Sequence, residues 1–154
     1  RTSNEFLTDL KSLIGQLKAK FDIPVWLNGT SAGSYAAVFG ATNLPELVDG
    51  VVISSIVTET SSVMPEAIEE IGLLDLSQPL LVMMHSEDEC KATPPLRAKK
   101  VFEKASATDK AFVLIEGGGK PKSKKACKYY AKHGFYGSED DAVSATMTFI
   151  NDRL

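Results

Sequence analysis

The 154-residue chain has no apolar run approaching the roughly 18 residues that a membrane-spanning helix needs, so no helical membrane span is expected. It also lacks a basic excess: 17 Lys and Arg stand against 20 Asp and Glu, a formal net charge of -3. A nucleic-acid-binding surface calls for the opposite balance. Internal repeats and Pro/Gly/Ser-rich linkers are missing, which points to one globular domain over residues 1–154. Histidine and cysteine are scarce, two of each, and their spacings fit no common zinc pattern. Gly117-Gly118-Gly119 lacks the Lys-Ser/Thr and helix start that make a phosphate-binding loop, and no cofactor is expected. The chain opens at Arg1 with neither a Met nor a signal-peptide pattern.

What the chain does have is Gly29-Thr30-Ser31-Ala32-Gly33, a G-x-S-x-G between the apolar Val25-Trp26-Leu27 and the small-residue segment Ala32 to Ala41. Strand, tight turn, then helix is the setting of a nucleophile elbow, in which glycines on both sides permit close approach and the serine Oγ stands above the sheet edge. The helix N-terminus behind it places free N–H groups and partial positive charge where an oxyanion forms. A Gly/Ser turn that merely starts a helix has the same five residues.

Alternating signals surround this stretch. Thr2-Ser3-Asn4-Glu5 reads as a capping box ahead of Phe6, Leu10, Leu13, Ile14, Leu17 and Phe21 at helical spacing. Val51 to Val57 predicts a second strand, and a short helix is expected around Pro65 to Ile71 after a polar loop at 58–62. Leu80 to Met84 predicts a third strand running into His85-Ser86-Glu87-Asp88-Glu89-Cys90. Thr93-Pro94-Pro95 predicts a helix start with Thr93 as N-cap. Ala111 to Ile115 is a fourth strand, and a last helix from Ser138 carries Val143, Thr146, Met147 and Ile150 inward. Nearly continuous apolar strands separated by helices make an α/β fold, a parallel sheet with helices on both faces and its site at the carboxyl ends of the strands. Trp26 and Tyr35 read as core residues.

A general base for Ser31 must be a histidine, and only His85 and His133 exist. The order Ser, acid, His known for an elbow on a parallel sheet is met by Ser31, a carboxylate among Glu87, Asp88 and Glu89, and His133. His85 is then a loop-packing residue.

The pieces Pro24-Val25-Trp26-Leu27 with Gly29-Thr30-Ser31, His85 to Cys90 with Thr93-Pro94-Pro95, Glu116-Gly117-Gly118, Ala126-Cys127, and His133-Gly134-Phe135-Tyr136-Gly137-Ser138-Glu139 resemble the C-terminal two-thirds of an α/β-hydrolase. The likeness is to a bacterial, mostly exported family related to dienelactone hydrolases and small esterases, and it spans almost the whole chain. It implies Ser31 as nucleophile, His133 as general base, Asp88 as orienting acid and the Ala32 N–H as oxyanion donor. Ala32 departs from relatives that carry Arg or another longer residue there. The reaction implied is cleavage of a small ester or thioester through an acyl-enzyme; the other readings are a non-catalytic binding or scaffold protein, or a dienelactone-type hydrolase or peptidase.

If Asp88 and His133 meet, Cys90 and Cys127 lie on neighbouring loops, and a disulfide between them follows, with a periplasmic or secreted location. Two buried free thiols in a cytosolic protein are the alternative. Lys120, Lys122, Lys124, Lys125 and Lys128 read as a solvated loop, with attraction of an anionic substrate as the other possibility. Finally, the nucleophile strand of a hydrolase is central, yet the strands found here all follow it. An upstream segment, or a partner chain completing the sheet, is therefore expected.

Overall fold

The computed structural model describes residues 2–62 and 65–154. Helix α1 (Asn4–Phe21) precedes β1 (Trp26–Thr30), α2 (Ala32–Asn43), β2 (Gly50–Ser54), β3 (Leu80–His85), α3 (Pro95–Lys104), β4 (Lys110–Ile115) and α4 (Glu139–Asn151). The four strands form one sheet in the order β1-β2-β3-β4, every pair parallel. β2 and β3 are central and buried at every residue, which is why they read as unbroken apolar runs.

Successive strand residues divide between two cores, as a period of two requires. Val51, Ile53, Leu80, Val82 and Met84 pack with Ile14 of α1, Val38 and Ala41 of α2, and Ala98 and Val101 of α3. Val52, Leu81, Met83 and Ile115 pack on the other side with Phe135 and with Phe149 of α4. Helix α2 carries no charged residue and buries Ser34, Tyr35, Ala37, Val38, Gly40 and Ala41, so it is a core helix rather than an amphipathic one. Tyr35 is buried as expected, and its hydroxyl donates to Glu66 O at 2.5 Å.

Several local expectations are corrected. The cap of α1 is Ser3, whose Oγ accepts from Phe6 N at 3.2 Å, while Glu5 sits one position too early to close a capping box. Leu13 and Phe21 face outward, and Phe6, Leu10, Ile14 and Leu17 make the inner stripe. β2 stops at Ser54 because Ser55 turns to φ 44; Ile56 and Val57 are buried in the loop beyond. Pro65 to Ile71 forms no helix. Its hydrogen bonds run from Glu70 N to Ala67 O and from Leu73 N to Ile68 O, which are not the four-residue spacing of an α-helix, and a single 3₁₀ turn follows at Leu73–Asp75. In α4, Phe149 meets Trp26 edge-on with ring centroids 6.0 Å apart. That contact turns the helix by about a quarter turn from the expected face. Ala142, Ala145 and Phe149 look toward the sheet together with Thr146 and Ile150, which face inward as expected, while Val143 and Met147 are exposed.

β1 is an edge. Among the described residues no strand pairs along its outer side, while its inner side is registered from Trp26 on Gly50 to Thr30 on Ser54.

Candidate active site

All the chemically equipped loops lie at the carboxyl ends of the strands. β1 ends at Thr30 and α2 begins at Ala32, so Ser31 alone makes the turn. Its backbone is at φ 53, ψ -123, a sparsely populated region for any residue with a Cβ. Three bonds hold it there: Ser31 N donates to Ser54 O at 2.9 Å, and Ser31 O accepts from Ser34 N at 2.9 Å and Ser34 Oγ at 2.6 Å. The turn is so tight that a Cβ on Gly29 would stand 2.3 Å from Gly33 O. Gly33 is different from expectation, since among the described residues no atom beyond its chain neighbours and its own helix backbone lies within 4 Å of where its Cβ would be. The elbow demands one glycine, not two.

β3 delivers the second loop. Asp88 N donates back to His85 O at 3.1 Å, and the Asp88 carboxylate is wholly buried. Its Oδ1 accepts from Cys90 N at 2.9 Å; its Oδ2 accepts from Thr93 Oγ1 at 2.8 Å and from His133 Nδ1 at 3.0 Å. Asp88 and His133 are thus brought together as expected, and Glu87 and Glu89 are both exposed. His133 rides on a 3₁₀ turn, Lys132–Gly134, whose His133 carbonyl accepts from Ser55 Oγ at 2.7 Å. With Nδ1 engaged, Nε2 is the ring nitrogen left without a hydrogen-bond partner among the described residues. No hydrogen bond among those residues joins it to Ser31 Oγ.

Cys90 and Cys127 are joined by a disulfide, with Cα atoms 4.8 Å apart. The bridge ties the chain two residues beyond Asp88 to the chain six residues before His133. Asp88, Cys90 and His133 present donor atoms within 4.8 Å of one another, but Cys90 Sγ is committed to the bridge and offers no thiolate to a metal.

Thr93, expected as the N-cap of α3, does not cap it; Pro94 occupies that position and the Thr93 hydroxyl turns inward. Ser55 and Lys132 were also illegible as site residues. Lys132 is buried, donates from Nζ to Gly117 O and lies 3.5 Å from Glu87 Oε2. A buried serine beside a β-branched run carries no sequence signal, but a threonine before two prolines with an acid five residues upstream does.

His85 packs as expected. It is fully buried, takes Glu87 N on Nδ1 at 3.0 Å and places Nε2 3.2 Å from Gly117 O, which requires the neutral tautomer with the proton on Nε2. Burial pushes its pKa below the ordinary 6.5, aided by the nearby Lys132 charge and opposed by the Gly117 carbonyl. The unfolded chain therefore binds more protons than the folded one as pH drops through 6.5, and stability falls with it. Thermal melts at stepped pH between about 7.5 and 5 should show this loss, and His85→Gln should flatten its steepest part. An unchanged slope in that variant would assign the acid sensitivity to other groups.

The five lysines of the 120–128 loop are exposed, and Lys122 Nζ stands 5.4 Å from the Tyr136 ring centroid.

Among solved structures the chain is similar to that of LipS and LipT, two metagenome-derived lipolytic enzymes (TM-score 0.69, 14% identity), covering 99% of this chain and 75% of that one. It is similar to a putative non-heme bromoperoxidase, BpoC, from Mycobacterium tuberculosis (TM-score 0.67, 14% identity), covering 95% and 72%. It is also similar to the monoacylglycerol lipase of Paleococcus ferrophilus (TM-score 0.59, 15% identity), covering 76% and 66%. This chain thus spans 66% to 75% of their lengths. No family model matches the sequence, and no curated protein matches it. At these identities the likeness concerns the fold, and the chain has the α/β-hydrolase fold.

Proposed function

We propose that the protein is a serine hydrolase that cleaves a small ester or thioester, with Ser31 as nucleophile, His133 as general base and Asp88 as the acid that orients it. The observation that carries this reading is the strained backbone of Ser31, since a residue with a Cβ at φ 53 must be held there by its surroundings and such strain concentrates at functional sites. In the mechanism, His133 Nε2 takes the Ser31 hydroxyl proton as Oγ attacks the acyl carbon, and the Ala32 N–H, which at the start of α2 has no acceptor among the described residues, donates to the oxyanion. The imidazolium then protonates the leaving group, and water, activated by the same nitrogen, releases the acyl group. The lipolytic and esterase names among the structural neighbours agree with this chemistry. A fluorophosphonate probe followed by peptide mapping tests it: one adduct, on Ser31, is the expected result, and no adduct would turn the assignment to a hydrolase-fold binding protein. That second reading is favoured by one feature, the missing hydrogen bond between Ser31 and His133.

The disulfide supports a periplasmic or secreted location, where such bonds persist. The outer side of β1, which no strand among the described residues covers, supports a further strand pairing along it, from an upstream segment or a partner chain, because an unpaired edge templates association. Light scattering of residues 1–154 should then show association, and a stable monomer with a protected β1 in hydrogen exchange would remove this expectation.

A further inference from the structure

Thr93 has no part in the catalytic set so far described, yet it is completely buried and its hydroxyl touches both members of the acid–base pair. Thr93 Oγ1, Asp88 Oδ2 and His133 Nδ1 form a closed triangle with sides of 2.8, 3.0 and 3.1 Å. We infer that Thr93 is a positioning residue that locks His133 in the tautomer with its proton on Nδ1 and its lone pair on Nε2. The inference rests on the serine-hydrolase reading for its effect on rate, though the geometry stands without it.

The proton inventory of the triangle decides the point. A carboxylate only accepts, a threonine hydroxyl has one proton and two lone pairs, and a neutral imidazole has one N–H. With Asp88 ionised, the Thr93 proton goes to Oδ2, because a charge-assisted bond outweighs a neutral one. The hydroxyl then turns a lone pair toward Nδ1, so that Nδ1–H faces two acceptors at 3.0 and 3.1 Å. In the other tautomer a bare Nδ1 would face the lone pairs of Oδ2, and the hydroxyl would have to leave Asp88 to satisfy it. Only the first arrangement pairs all three atoms of the triangle without drawing the hydroxyl away from Asp88, and it is the one that leaves Nε2 able to accept a proton from Ser31.

The sequence around Thr93 explains how its hydroxyl is held to this task. Thr93 N donates to Cys90 O at 3.0 Å, and Cys90 is anchored by the disulfide and by its own N–H on Asp88 Oδ1. On the other side Pro94 and Pro95 have fixed φ and no N–H, so α3 starts without using Thr93 as its cap. The residue is released from the helix and free to serve the site.

Two pairs of variants isolate the hydroxyl: Thr93→Val against wild type, which exchanges Oγ1 for a methyl, and Thr93→Ala against Thr93→Ser, which differ by the oxygen alone. With p-nitrophenyl acetate as probe, Thr93→Val should lower kcat by about tenfold to a hundredfold with KM unchanged, and Thr93→Ser should recover most of it. The downfield proton resonance of His133 Nδ1–H should shift or broaden in Val and Ala and stay in place in Ser. If Val does not fold, the Ala and Ser pair carries the comparison. Equal kcat with and without the hydroxyl, together with an unmoved resonance, would overturn the inference. Absence of both turnover and Ser31 labelling in the wild type would instead overturn the hydrolase reading, and the resonance would still decide the role of Thr93.

Discussion

Ser31→Ala is expected to lower ester turnover by about four to six orders of magnitude while leaving the thermal melt nearly unchanged. The side chain removed makes no hydrogen bond among the described residues that holds the fold, whereas the strained turn is kept by backbone bonds to Ser54 and Ser34, which alanine retains. His133→Ala should cost a comparable factor, and Asp88→Asn about 10⁴, since an amide in place of the carboxylate favours the wrong tautomer of His133. In the proposed mechanism the groups act as one unit, so the Ser31→Ala/His133→Ala double variant should be scarcely worse than either single one. Steady-state rates on a short-chain ester decide this. Retention of full activity by Ser31→Ala would remove the nucleophile from the mechanism.

Reduction of the Cys90–Cys127 bond is expected to have the largest effect on stability. The bridge closes a loop of 37 residues. On the chain-entropy account that constraint is worth roughly 4 kcal/mol, or about 8 to 16 °C in the melting temperature of a domain of this size. Activity should fall more steeply than the melt indicates, because Cys90 N holds Asp88 Oδ1 and the bridge holds Cys90. Melts and ester rates with and without a phosphine reductant, alongside the Cys90→Ser/Cys127→Ser variant, test both parts. A melt unmoved by reduction would mean that the loops are held by Lys132, Ser55 and Thr93 without the bond.

How much of this was legible in the sequence depends on the reach of each interaction. The four strands, the elbow and the parallel sheet could be read because apolar runs and glycine turns are local signals; the order serine, acid, histidine pointed to the loops of Ser31, residues 87–89 and His133, and only the family resemblance chose Asp88 among the three acids. The rotation of α4 could not be read, since it depends on Phe149 finding Trp26 over a hundred residues away. The segment from Pro65 to Ile71 looked helical by composition, but its backbone follows Gly72 at φ 113 and the packing of Ile68 and Leu73 into the core. Thr93 departs from its local signal for the opposite reason. Thr before Pro favours a helix cap locally, but here a buried carboxylate competes more strongly for the same hydroxyl.

The clamping of the segment between β4 and α4 bears on how this protein can vary over generations. Its first residues are fastened by Gly117 O, which receives both His85 Nε2 and Lys132 Nζ, and by the close packing of Gly118 and Gly119 against Gly137. Its later part is fastened at Cys127 by the disulfide and at His133 by Ser55. Between these fixed points Lys122 N and Ser123 N both donate to Tyr130 O, at 3.0 and 3.2 Å, and the rest of residues 120–126 runs over the surface, where added length has only a small entropic cost. Insertions, deletions and charge changes can accumulate there without moving His133 relative to Asp88, so that stretch is the natural place for kin of this protein to diverge while the residues on either side of it stay constrained.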